Sequence, residues 1–193
     1  MVAVLERDFF NLTVFKQPLA QFIAAFEREV TAPLKAVPTA FVLPHQPYAA
    51  SDGQPPLILW SPLSQPELTA FMPHVRSGDY FVTAHAGKTL KASYVSVRST
   101  PEDVEWPINE FDCTEDGRQR RFVRAFRDSP RWDFHEVGEP FAFEDVAKYR
   151  RRRIRDRFTR ADLIACLHAW GATVDDADFW HSDAQAFSFV STM

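Results

Sequence analysis

Apolar and polar positions alternate with different periods along the chain, and each change of period marks a predicted element. In QPLAQFIAAFEREV (17–30), Leu19, Phe22, Ile23, Phe26 and Val30 recur at three- and four-residue steps, which predicts an amphipathic helix. Pro18 suits its first turn and Pro33 stops it soon after. DFFNLTVF (8–15) before it and LILW (57–60) after it are rich in strand formers. Residues 31–56 between them are proline-rich and read as extended.

Ser64-Gln65-Pro66-Glu67 has the form of a capping box and predicts a short helix over 65–71. YFVTAHA (80–86) and TLKASYVSV (89–97) read as strands separated by a turn at Gly87-Lys88, and residues 100–120 as a long surface connection. RRFVRAF and RWDFHEV, joined through Asp128-Ser129-Pro130, predict a hairpin with Trp132 and Phe134 on its apolar face. A helix is expected from Phe143 or Glu144 to Phe158. A second follows, capped by Thr159, with Leu163, Ile164, Leu167 and Trp170 as its stripe and Gly171 as its terminator. AQAFSFVST (184–192) reads as a last strand. The pattern therefore predicts one α+β domain spanning 1–193. Its mostly antiparallel or mixed sheet has about five to seven strands, with two to four helices packed mainly on one face.

Composition supports a packed core. Hydrophobic residues make up 46% of the chain and aromatic residues 14%, enough apolar area to offset the entropy of ordering. Six Gly against 14 Pro disfavour glycine-rich nucleotide loops. The first residues, MVAVLERDFF, lack the form of a signal peptide, no apolar run has the length of a membrane span, and Cys113 and Cys166 follow no pairing pattern. A cytoplasmic protein with reduced thiols, not bound to membrane, is the expectation.

Charge changes the picture at KYRRRRIRDR (148–157). This segment carries seven positive charges and one negative, so the rest of the chain holds −10 against −4 for the whole. On the expected helix, Arg150, Arg153 and Arg157 fall on the face of Val146, whereas Arg151, Arg152 and Arg155 point away. Three readings follow. The guanidiniums pair internally with the protein's carboxylates and carbonyls. Alternatively, Arg150, Arg153 and Arg157 clamp an anion or a partner's carboxylates. The third, nucleic acid, is disfavoured by the surplus of negative charge and by the lack of a recognisable binding motif.

The chain carries no GxSxG, HExxH, Walker or GxGxxG pattern, so no catalytic residue, metal site or cofactor is assigned. Asp175, Asp176, Asp178 and His181 could surround a cation, but read more simply as a polar turn capping a short helix. Cys113 is expected in a loop, where Asp112 and Glu115 raise its pKa, and Cys166 in the core.

The stretch 127–171 joins an aromatic hairpin, a G-x-P-x-x-F-E start, a Tyr followed by arginines, an R-D-R-F step and a helix ending in Gly. It resembles small bacterial immunity partners of secreted toxins. That resemblance implies a non-enzymatic cytoplasmic protein that binds and blocks a cognate toxin. It also implies that Trp132, Phe134, Phe143, Glu144 and Tyr149 form shared scaffold, and it transfers no catalytic position.

Overall fold

Leu12 and Val14 face one side of a strand and Thr13 and Phe15 the other, and this division runs through the whole sheet. The computed structural model describes residues 10–29, 34–41, 58–72, 80–128 and 130–191. In chain order the elements are β1 (Phe10–Phe15), α1 (Leu19–Glu29), β2 (Leu34–Thr39), β3 (Ile58–Trp60), β4 (Thr69–Met72), α2 (Tyr80–Leu90), β5 (Tyr94–Ser99), β6 (Ile108–Glu115), β7 (Arg118–Asp128), β8 (Arg131–Val137), α3 (Arg160–Trp170) and β9 (Ala186–Ser191). The strands form one sheet in the order β2-β9-β3-β4-β1-β5-β6-β7-β8, every neighbouring pair antiparallel. The fold is α+β, dominated by its sheet.

Of the α-helices among the described residues, α1 and α2 share one face. Phe22, Ile23 and Phe26 of α1 pack with Phe15, Leu59, Phe71 and Phe189, and α2 adds Ala86 to the same cluster. On the opposite face Leu163, Cys166, Leu167 and Trp170 of α3 cover Val95, Val97, Phe111 and Val123. The segment after α3 completes that layer. Trp60 Nε1 donates to the Phe179 carbonyl at 2.9 Å and Trp180 Nε1 to the Val174 carbonyl at 2.7 Å, so both buried indoles are satisfied.

Several elements differ from expectation. YFVTAHA lies in α2, not in a strand, and Gly87 is inside that helix. A Cβ there would stand 2.4 Å from Tyr94 Cε1, so the glycine lets the helix settle directly on the sheet. Residues 100–120 contain all of β6, whose Phe111 and Cys113 are fully buried. The proline-rich stretch contributes β2, which puts Pro38 on the outermost strand among the described residues, a place that tolerates proline. These additions raise the sheet to nine strands.

The predicted helix at 65–71 is absent: Thr69–Met72 is a buried strand. Gln65 is drawn away instead, donating to the Gly171 carbonyl at 2.6 Å and accepting from the Thr173 amide at 2.9 Å. The residues that decided well are those with a local stop or start. Thr159 accepts from the Asp162 amide, Asp162 reaches back to the Thr159 amide, and Gly171 ends α3 at φ 115°. The hairpin closes at Asp128↔Arg131, as the turn residues required; Ser129 lies outside the described residues.

Candidate functional site

The basic segment is not a helix. Residues 148–157 contain two 3-10 turns, Lys148–Arg150 and Ile154–Asp156, separated by extended backbone at Arg151 (ψ 144°) and Arg153 (ψ 111°). An α-helix here would stack like charges three and four residues apart, as at Arg150/Arg153, Arg151/Arg155 and Arg153/Arg157. Each such pair is unfavourable by about 0.2–0.5 kcal/mol. The expected common face of Arg150, Arg153 and Arg157 therefore does not exist.

What holds the segment is a buried ion pair between Arg121 and Glu144. Arg121 of β7 alternates with Val123 and Ala125 on the inward face, and its side chain is 0% exposed. Its Nε and one terminal nitrogen bond both oxygens of Glu144, at 2.7–3.1 Å. The same terminal nitrogen also meets Glu136 at 2.6 Å, and the other donates to the Gly138 carbonyl at 2.7 Å and that of Val137 at 3.3 Å. All the donors of the guanidinium are thus directed at acceptors. Glu144, itself 1% exposed, further accepts from the Phe141 amide at 2.8 Å and the Tyr149 hydroxyl at 2.7 Å.

Burial opposes charge on both partners, but their mutual bonds prevail. The Glu144 carboxyl is held below the ordinary carboxylate range and the Arg121 pKa is driven up. Burial and the neighbouring Glu144 together raise the Tyr149 phenol, which stays a donor. Gly138 makes the return from β8 possible: its φ is +84°, and a Cβ would lie 2.2 Å from the Arg120 carbonyl oxygen. Glu144 and Tyr149 thus brace the loop against β7, and Phe134 packs on Tyr149 at 5.0 Å between ring centroids. Phe143 is 40% exposed but stacks on Phe141 at 5.0 Å.

The cations divide into two groups. Lys148 pairs with Asp162 at 2.5 Å, Arg155 with Glu102 at 3.1 Å, Arg157 donates through Nε to the Arg151 carbonyl at 2.9 Å, and the Arg151 guanidinium reaches the Asp156 carbonyl at 3.4 Å. Arg150, Arg152 and Arg153 are exposed, and their side chains have no hydrogen bond or ion pair among the described residues. Internal pairing thus accounts for only part of the segment.

Arg150 and Arg157 line a hollow of about 780 Å³, together with Tyr149 and with Phe134, His135 and Glu136 of β8. Arg153 is not among its walls. Glu136, its acidic wall residue, already faces Arg121, so the two guanidiniums give the hollow a positive balance. Arg157 lies over the Phe134 ring, 5.7 Å from its centroid.

The remaining candidates resolve structurally. Asp176 accepts from the Asp178 amide and caps the turn Ala177–Trp180. His168 lies 2.7 Å from Asp175 and His181 lies 3.6 Å from Asp178. Among the described residues no cluster of His, Cys, Asp and Glu has the arrangement of a metal site. Cys113 sits in β6, not in a loop. Burial, then Glu115 and Asp112, push its thiol up to about 12; burial also takes Cys166 to about 12. Neither forms a thiolate near neutral pH. Among the described residues no helix is long and apolar enough to cross a membrane. Comparison with protein-family models, curated proteins and solved structures returns no match.

Proposed function

We propose that this chain is a non-catalytic binding protein for one protein partner, of the toxin-neutralising immunity type that residues 127–171 resemble. The observation that carries the reading is the loop 139–157. Arg150, Arg152 and Arg153 project unpaired, among the described residues, from a loop anchored by the buried Arg121–Glu144 pair. A cationic loop held in place before binding loses little entropy on docking, which is how a rigid recognition element gains affinity. Exposed Phe143 and Val146 on the same loop add the apolar contact that interface centres favour. The docking face is then the basic loop, not the acidic remainder of the surface.

Co-expression with the product of the neighbouring gene tests this. A complex that survives gel filtration and relieves that product's toxicity is the expected outcome; neither association nor relief would overturn it. A second reading, an enzyme or sensor for an anionic small molecule, is favoured by the Arg150 and Arg157 walls of the hollow. It predicts thermal stabilisation by phosphate-bearing compounds that disappears in Arg150→Ala.

A further inference from the structure

The hollow touches Phe134, His135 and Glu136 in succession. Successive strand residues point to opposite faces, so a cavity meeting all three lies against the strand's edge, not over either face. β8 is the last strand of the sheet. Its hairpin closes at Asp128↔Arg131 across two residues, which makes that pair hydrogen-bonded. Counting by two, Asp133, His135 and Val137 turn their backbone groups to β7, and Trp132, Phe134 and Glu136 turn theirs outward. The Phe134 amide confirms the phase, since it is met at 2.8 Å by the carboxylate of its own neighbour, Asp133. Among the described residues no strand pairs with this outer edge.

The geometry points to a strand-addition site: an extended acidic segment of the protein partner enters the hollow and pairs along β8 as a tenth strand. Three features converge on that occupant. The outward amides and carbonyls of Trp132, Phe134 and Glu136 offer the main-chain bonds of a ladder. The side chain of Arg150, with no partner among the described residues, and the terminal nitrogens of Arg157 supply positive charge to the lining, suited to carboxylates. Phe134, Pro140 and Val146 between them give apolar contact to the alternate side chains of the guest. Asp133 holds the central amide as a placeholder, and an incoming carbonyl displaces it. This inference rests on the protein-partner reading above and specifies how that partner is held.

The test uses the full chain and a fluorescein-labelled octapeptide of alternating Glu and Val. Three further probes accompany it: the Lys/Val octapeptide, the Glu/Val octapeptide with alternate amides N-methylated, and phenyl phosphate. Fluorescence anisotropy should show saturable binding of the Glu/Val peptide, weakened about tenfold or more by Lys for Glu, and likewise by N-methylation. Arg150→Glu, which breaks no bond among the described residues, should cost about tenfold. Asp133→Ala should tighten binding by freeing the Phe134 amide. Equal binding of the N-methylated peptide, indifference to Arg150→Glu, or no Glu/Val binding at millimolar concentration would overturn the inference. So would phenyl phosphate binding in the hollow while the peptide does not. A partner that still binds Arg150→Glu at full strength removes this site but leaves the protein-partner reading standing; a chain that binds no partner removes both.

Discussion

At the scale of single residues, Asp112 makes the sharpest prediction. It lies on β6 beside Glu110, on the face that also carries the Arg98–Glu110–Arg124 ion pairs. Burial, at 8% exposure, raises its pKa from 3.8 to about 6; the Gln119 amide bond pulls it back and Glu110 adds to the rise. The folded state therefore binds this proton more tightly than the unfolded chain. The contribution to stability is full below pH 3.8 and is lost as pH rises through about 6. Asp112→Asn removes the penalty of ionisation. The variant should exceed the parent by about 1–3 kcal/mol near pH 8 and match it near pH 4. Urea unfolding of both proteins at the two pH values checks this, and an equal difference at both would show that Asp112 is not held out of water. Arg121 illustrates the complementary lesson. An arginine alternating with Val123 and Ala125 was a visible signal of a buried cation, because position i±2 on a strand shares one face.

At the scale of elements, the loop 139–157 depends on one buried pair. Glu144→Ala leaves the Arg121 guanidinium buried without its main acceptor and should cost about 3–5 kcal/mol, whereas replacing both residues by apolar ones should recover much of the loss. Guanidinium-chloride denaturation of the single and double variants checks both. The parent itself should weaken in acid. The Glu144 carboxyl is depressed below 4.5 in the folded state, so its contribution is present above that pH and fades as pH falls through the lower folded value. The glycines provide a graded comparison. Gly171→Ala meets open space and bears only the strain of φ +115°, about 1 kcal/mol, whereas Gly138→Ala adds a backbone clash and should cost more. α1 and α3 were legible because their stripes, caps and stops are local. α2 was not, because Tyr80, Phe81, Val82 and Thr83 are strand formers and the sheet contact through Gly87 decided the outcome. β6 was missed because one of its faces carries Glu110 and Asp112, acids that suggest a loop until Arg98, Arg124 and Gln119 are brought opposite them. The site was legible only as charge: residues 148–157 named the cations, but the path of the chain depends on Arg121, more than twenty residues upstream of its partner.

At the scale of the whole molecule, charge is distributed unequally. The chain carries −4, yet 148–157 alone carries seven positive charges and one negative. On the proposed function, a partner with an acidic docking face would be drawn to this loop and repelled by the rest of the surface, so the field would orient the encounter before contact. Such steering is screened over about 10 Å at 0.1 M salt, which makes it a property of the association rate. The side chains of Arg150, Arg152 and Arg153 are exposed and make no bond among the described residues, so reversing them removes steering without removing any packing found there. The triple variant to Glu should keep its unfolding midpoint close to the parent's, within about 0.5 kcal/mol per position. Its association rate with the partner should fall by about tenfold or more at low salt, with the deficit shrinking as ionic strength rises. Stopped-flow association across a salt series separates this from a structural effect, because a misfolded variant would lose affinity at every ionic strength. A parent rate that does not respond to salt, together with a triple variant that binds as fast, would place the docking face elsewhere on the molecule.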